Sequence, residues 1–189
     1  MQMSRQIDLA LFMYATDHNG KYPEGESSTD VFQKLMNENY ISDAAIFFVS
    51  LPGKTEAKPG QKLKPENVCW DVTSGLESSS PDELPVVFLT GYKVNYVPGG
   101  SAVALIKPYP AFGFAHPRTW AEWWQGKPAV DEPGPYEVGI AVTYKSNLAA
   151  FKRLDFPIGE VGQLSNFISP SSKPDGKTYR QLTPHGLLP

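Results

Sequence analysis

Proline is the residue that most limits the regular structure available to this chain. It occurs 18 times in 189 residues, and glycine adds 16 positions at which the chain can turn. Proline lacks an amide hydrogen and disrupts both helix interiors and central strands, so long regular elements are confined to the stretches without it. The sequence therefore predicts short strands joined by many turns.

The composition is that of a chain able to bury a core. Hydrophobic residues make up 41% and charged residues 20%, as in globular rather than disordered proteins. The 17 basic and 20 acidic residues give a net charge of -3, which argues against nonspecific nucleic-acid binding because such binding needs a basic face. The length predicts one domain over residues 1–189.

The first proline-free stretch predicts a helix over residues 4–17. Its apolar residues recur at helical spacing and form one stripe, which comprises Ile7, Ala10, Leu11 and Tyr14. Asn19-Gly20 tolerates the left-handed conformation that ends a helix, and Pro23 prevents the helix from resuming. Because the end is well signalled and the start is not, we expect residues 1–19 to be the C-terminal half of a longer helix.

A second helix is predicted over residues 30–38, where Val31 and Leu35 lie four positions apart. Residues 27–29 offer side-chain oxygens to cap its N-terminus. The apolar run over residues 44–50 fits either a buried strand or a helical turn.

Strand patterns with turn residues between them follow the second helix. They cover residues 68–72, 86–90, 92–97, 102–106 and 137–144. Tyr92 and Val94 alternate with Lys93 and Asn95, so one side of that strand is apolar and the other is polar. This alternation is typical of an antiparallel sheet. The last forty or so residues are expected to combine turns with short apolar anchors.

Residues 107–136 form a proline- and tryptophan-rich insertion. Six prolines exclude long elements there, except for a helical turn that places three tryptophans at helical spacing, namely Trp120, Trp123 and Trp124. Exposed together, these rings would make a binding platform for a glycan or a protein, since Trp is enriched at interaction hot spots. The alternative is that the rings pin the insertion onto the core.

The residue patterns of common catalytic sites are missing. The chain has no Gly-x-Ser-x-Gly elbow and no phosphate-binding glycine loop, and its histidines, His18, His116 and His185, lie far apart in sequence. The single cysteine, Cys69, lies in an apolar strand pattern and is predicted to be a buried, inert thiol. We expect no enzyme activity, no catalytic residue, no cofactor and no metal. A hydrolase would require His116 or His185 beside a serine or aspartate in a cleft.

The segment from Gln6 to Pro23, QIDLALFMYATDHNGKYP, resembles the end of the long N-terminal helix of type IV pilin-like proteins. It is most similar to the pseudopilin-like proteins of type II secretion, which share the Tyr-Ala pair, the acidic residue, Asn-Gly and the aromatic-Pro exit. The segments at residues 139–144 and 179–186 resemble, more weakly, the tails of large pseudopilin-like proteins. These similarities cover about a quarter of the chain.

The resemblance implies an α+β, pilin-like fold in which a long N-terminal helix packs on an antiparallel β-sheet that carries proline-rich insertions. It also implies a structural subunit of a pseudopilus or type IV pilus-like filament that supports protein secretion or surface-filament assembly. Its place would be the bacterial cell envelope, on the periplasmic or extracellular face, with an inner-membrane anchor absent from this chain.

The partners implied are other pilin-like subunits, which would meet the N-terminal helix at Leu9, Phe12 and Met13. A secreted protein or a glycan is a further possible partner, and nucleic acid is not expected. Many major pseudopilins hold calcium in an acidic C-terminal loop, whereas this loop has only Asp175 between two lysines, so calcium binding is not carried over. The alternative function is a secreted or envelope binding module that uses the tryptophan platform.

Overall fold

The computed structural model describes residues 2–51, 53–105, 139–146, 148–153 and 163–188. These residues form two α-helices, two short 3-10 turns and nine strands. The helices are α1 (Gln2–Asp17) and α2 (Ser28–Asn37), and the 3-10 turns are Ala44–Phe47 and Pro65–Asn67. The strands are β1 (Trp70–Ser74), β2 (Pro85–Leu89), β3 (Tyr92–Val94), β4 (Ala102–Ala104), β5 (Gly139–Tyr144), β6 (Ala149–Arg153), β7 (Gln163–Leu164), β8 (Arg180–Thr183) and β9 (Gly186–Leu187).

The strands build two antiparallel sheets. The larger sheet has six strands in the order β6-β5-β2-β1-β8-β9, and the smaller sheet has three in the order β3-β4-β7. Val72 of β1 lies opposite Val87 of β2 on one side and Leu182 of β8 on the other. Strand β1 is therefore an interior strand, and its C-terminal partner β8 lies more than 100 residues away in sequence.

The helices cover one face of the six-stranded sheet. Helix α1 contacts β2 and β5, and α2 contacts β1 and β8. On this face the indole Nε1 of Trp70 donates to the carbonyl of Ile46 in the first 3-10 turn, at 3.2 Å. Phe32 of α2 stacks on Phe47 with ring centroids 4.5 Å apart, and both side chains are fully buried.

The three-stranded sheet lies against the opposite face. There the hydroxyl of Thr73 in β1 and the phenol of Tyr96, just beyond β3, are 2.8 Å apart. Phe167, which follows β7, packs edge-on against Phe88 of β2 with ring centroids 6.0 Å apart. The described part of the protein is thus layered as helices, a large sheet and a small sheet.

Both predicted helices are confirmed, because their local signals act as expected. Helix α1 ends at Asp17, and Asn19 and Gly20 then take positive φ angles of 55° and 81°. The Gly20 amide donates back to the carbonyl of Ala15 at 2.7 Å, which closes the helix end. At the start of α2, the Ser27 side chain caps the helix by accepting from the amide of Asp30 at 3.1 Å.

The expected pilin-like architecture with a long N-terminal helix is wrong. Helix α1 has 16 residues, about 24 Å at the usual rise of about 1.5 Å per residue, and most of the regular elements are strands in two antiparallel sheets. The expectation of a longer helix came from a weak start signal and from the resemblance, and neither is a physical constraint on how these residues pack.

The strand predictions succeeded in the first half of the chain and in β5, and were incomplete in the tail. Strands β1 to β5 all overlap their predicted ranges, and Tyr92 and Val94 are buried while Lys93 is exposed. The 44–50 run is a 3-10 turn over its first four residues. Strand β8, by contrast, was expected to be part of a turn-rich tail, because its four residues carry little local signal.

Candidate functional site

Helix α1 has one fully packed face and one open face. The packed face holds the four apolar residues that the helical spacing predicted to share one side. They are Ile7, Ala10, Leu11 and Tyr14, and each is no more than 4% exposed. The open face carries the three residues expected to meet other subunits. Leu9, Phe12 and Met13 are 55%, 53% and 48% exposed. The packing of the first face thus leaves these three large apolar side chains in solvent, together with Met3 near the start of the helix, which is 40% exposed.

The three open side chains are neighbours on the helix surface. Leu9 lies three positions from Phe12 and four from Met13, the spacings at which side chains on a helix meet. Arg5 and Thr16 flank them and are also exposed. We call Leu9, Phe12 and Met13 the α1 stripe. Isolated exposed apolar residues are ordinary on a protein surface, whereas contiguous ones mark interaction surfaces.

The C-terminal end of α1 is fixed by a cluster of aromatic and charged side chains. The rings of Tyr14 and His18 stack with centroids 3.8 Å apart, and Tyr40 packs edge-on against Tyr14 at 5.5 Å. The Tyr40 hydroxyl donates to Asp17 at 2.8 Å, and the ammonium of Lys34 lies 5.1 Å from the centre of the Tyr14 ring. These contacts join the end of α1 to α2, so the α1 stripe is presented on a well-supported helix.

Asp8 lies on the packed face of α1 and was not identified from the sequence. It is 5% exposed, and burial raises the pKa of its carboxyl to about 7. Asp71 of β1 is a second buried carboxyl, fully inaccessible to solvent, and desolvation likewise raises its pKa to about 7. The sequence offered one signal, namely that each acid lies within an apolar pattern. Asp8 is one position from Ile7 and three from Leu11 on the helix, and Asp71 interrupts the apolar run that forms β1.

Those of the remaining sequence candidates that fall in the described residues do not converge into a catalytic site. His18 stacks on the ring of Tyr14, and its Nδ1 lies 2.8 Å from the carbonyl of the same residue. His185 lies in an exposed turn near the C-terminus. His116, the tryptophans Trp120, Trp123 and Trp124, and the whole 107–136 insertion lie outside the described residues. The thiol of Cys69 is buried, as predicted, and bonds to the backbone of Val49.

The described residues contain neither a cluster of metal-ligating side chains nor a membrane-spanning helix. Across residues 2–51, 53–105, 139–146, 148–153 and 163–188, no three His, Cys, Asp or Glu side chains are placed to hold a metal ion. Asp175 instead accepts a hydrogen bond from the Tyr179 hydroxyl and another from the amide of Lys177. Over the same residues, no helix combines the length and apolarity needed to cross a bilayer.

A groove of about 460 Å³ opens between the end of α2 and the loop at residues 56–61. Its charged lining residues are Asp43, Glu56 and Lys58, of mixed sign. Asp43 is engaged in capping the first 3-10 turn, where it accepts from the amide of Ala45 at 2.9 Å. Because its charges are of mixed sign and Asp43 is engaged in a cap, we regard the groove as a weaker candidate than the α1 stripe.

Comparison with protein-family models, with curated proteins and with solved structures finds no match to this chain.

Proposed function

We propose that this protein is a structural subunit that assembles into a filament of the pseudopilus or type IV pilus kind, through the α1 stripe. The observation that carries the proposal is the exposure of Leu9, Phe12 and Met13 beside one another on a helix whose other face is fully packed. Full burial of an exposed side chain of this size is worth about 1.5–3 kcal/mol, and these three are about half exposed, so covering each at a subunit contact would stabilise assembly by about 1 kcal/mol.

The sequence resemblance over Gln6 to Pro23 supports the same role. The proposed partners are other pilin-like subunits, and the proposed place is the cell envelope, with a membrane anchor outside this chain. The α1 stripe offers neighbouring apolar side chains, which suits a contact between subunits. The proposal concerns the α1 stripe and does not depend on a long helix.

The substitution Phe12→Asp tests the proposal. It places a charge in the centre of the α1 stripe, and a charge buried at a contact without a partner is strongly unfavourable. We expect the full-length protein in its host to lose most of its filaments, counted by electron microscopy. The folded domain should keep its unfolding midpoint, because Phe12 is 53% exposed.

Val97→Asp is the matched control, since Val97 is 47% exposed and lies beyond β3, away from α1 in sequence. Its filament count should equal that of the unsubstituted protein. Filament counts that fall equally in both variants, or in neither, would contradict a contact through the α1 stripe.

A further inference from the structure

A set of buried polar side chains joins the two sheets, and the proposed assembly role does not use it. Gln181 of β8 donates through Nε2 to Oδ2 of Asp71 in β1 at 2.6 Å, and to the carbonyl of Tyr92 in β3 at 2.5 Å. Its Oε1 accepts from the amide of Val94 in β3 at 3.0 Å. One amide side chain thus ties the large sheet to the edge strand of the small sheet.

Asp71 is the one member of this set whose side-chain hydrogen bonding is incomplete among the described residues. Its side chain is fully buried, and its Oδ1 atom has no hydrogen-bond partner among the described residues. An ionised carboxylate in this place would keep a negative charge out of water with one oxygen unpaired. A neutral carboxyl would cost far less, because leaving a neutral polar atom unpaired is cheaper than burying an uncompensated charge.

The groups that face Asp71 do not remove this penalty. The hydrogen bond from Gln181 favours the ionised form, the nearby Thr90 hydroxyl favours it as well, and the ammonium of Lys54 favours it through its charge. Lys54, however, donates to the carbonyl of Pro65 at 2.8 Å, and burial lowers its own pKa. Desolvation is the larger effect, so the pKa of Asp71 is raised to about 7.

The other titratable side chains around this centre are neutral near pH 7. Burial raises the pKa of the Cys69 thiol, just before β1, and raises the pKa of Tyr92 to about 12. The phenol of partly buried Tyr96, from the small-sheet side, also has a raised pKa, because desolvation and the nearby Asp71 both raise it. Of these four described side chains, Cys69, Tyr92, Tyr96 and Asp71, only Asp71 has a pKa near 7.

We propose that Asp71 and Gln181 form a proton-operated latch between the two sheets. With Asp71 neutral, the Gln181 amide holds β1 and β3 together. With Asp71 ionised, the buried charge favours conformations that admit water, and these require Gln181 to release β3. The small sheet is thus held firmly in mild acid and more loosely above neutral pH.

Hydrogen exchange of the Val94 amide tests the latch, because that amide bonds directly to Gln181. Exchange rates are corrected for the intrinsic effect of pH and expressed as protection factors. We expect protection of Val94 to fall at least tenfold between pH 6 and pH 8.5 in the unsubstituted protein. Unchanged protection of Val94 over this range would overturn the proposal.

The substitution Asp71→Asn removes the titrating group and keeps its shape. We expect the Val94 protection factor in this variant to be the same at both pH values. Asp8→Asn is the matched control, since Asp8 is also a buried carboxyl but belongs to α1, away from Gln181 in sequence. In this variant the Val94 protection factor should still fall as the pH rises. A fall that persists in Asp71→Asn would overturn the latch.

A direct titration of Asp71 tests the latch in the unsubstituted protein, so the result does not depend on whether the Asp71→Asn variant folds. The carboxyl carbon of Asp71 in the unsubstituted protein can be followed by ¹³C NMR. A midpoint near pH 7 is the expected result, and a midpoint near the ordinary value of about 4 would overturn the latch by itself.

Discussion

At the scale of single residues, the turn after α1 shows how one position serves two purposes. Gly20 adopts a φ of +81°, which ends the helix and which side chains with a Cβ rarely adopt. It also approaches the loop after β1, where a Cβ at Gly20 would lie 3.1 Å from the hydroxyl of Ser78. The local sequence predicted the first role, and only the fold reveals the second.

The substitution Gly20→Ala is expected to lower the free energy of unfolding by about 1–2 kcal/mol, because the backbone is strained and the new methyl group crowds Ser78. Gly176→Ala is the control, since Gly176 has a similar φ of +76° and nothing within 4 Å of its would-be Cβ. Urea denaturation of both variants separates the strain from the contact. An equal loss in the two variants would show that the Ser78 contact contributes nothing.

At the scale of elements, α2 couples a local cap to a remote strand. Ser27 caps the helix, and the Thr29 hydroxyl in its first turn donates to the carbonyl of Pro184, after β8, at 2.9 Å. The start of α2 therefore helps to hold the C-terminal strands on the large sheet. Sequence analysis identified the cap-forming residues but had no means of identifying their partner.

The substitution Ser27→Ala removes the side-chain oxygen that accepts from the Asp30 amide. We expect it to lower the free energy of unfolding by about 1 kcal/mol, the usual value of a helix N-cap. Thermal unfolding followed by circular dichroism measures the loss. Ser79→Ala, in an exposed loop, should change the midpoint little, and a similar loss in both variants would exclude a capping contribution.

At the scale of the whole molecule, two buried carboxyls link folding to pH. Burial raises the pKa of Asp8 and of Asp71 from 3.8 to about 7. Between about pH 4 and pH 7 the folded state binds more protons than the unfolded state. The free energy of unfolding therefore falls as the pH rises through this range. The stabilisation is complete below about pH 4 and is lost as the pH passes through 7. The carboxyls of Glu77 and Asp175, whose pKa values are lowered by neighbouring donors, act oppositely in stronger acid.

We therefore expect the protein to be more stable to urea at pH 5.5 than at pH 8. Asp8→Asn should reduce the difference by about 1–2 kcal/mol, at about 1.4 kcal/mol per pH unit for a single group. The control is Glu56→Gln, which removes an exposed carboxyl and should leave the difference unchanged. Greater stability at pH 8, or a pH dependence that survives Asp8→Asn in full, would contradict the role of Asp8.

The sequence by itself determined the local elements. It placed α1 and α2 through periodicity and end signals, and it located β1 to β5 through apolar runs between turns. It also separated the two faces of α1, so the exposure of Leu9, Phe12 and Met13 follows from the same pattern that buries Ile7 and Leu11. These features depend on residues within about ten positions of one another, and local sequence encodes such interactions directly.

Only the tertiary structure decided how these elements combine. Strand β8 pairs with β1 across more than 100 residues, β4 pairs with β7 to make a second sheet, and Gln181 reaches Asp71 between the sheets. Short strands carry weak local signals, and their pairing is fixed by the burial of side chains on both faces. The raised pKa values of Asp8 and Asp71 arise in the same way, since the desolvation that shifts them exists only once the layers have packed.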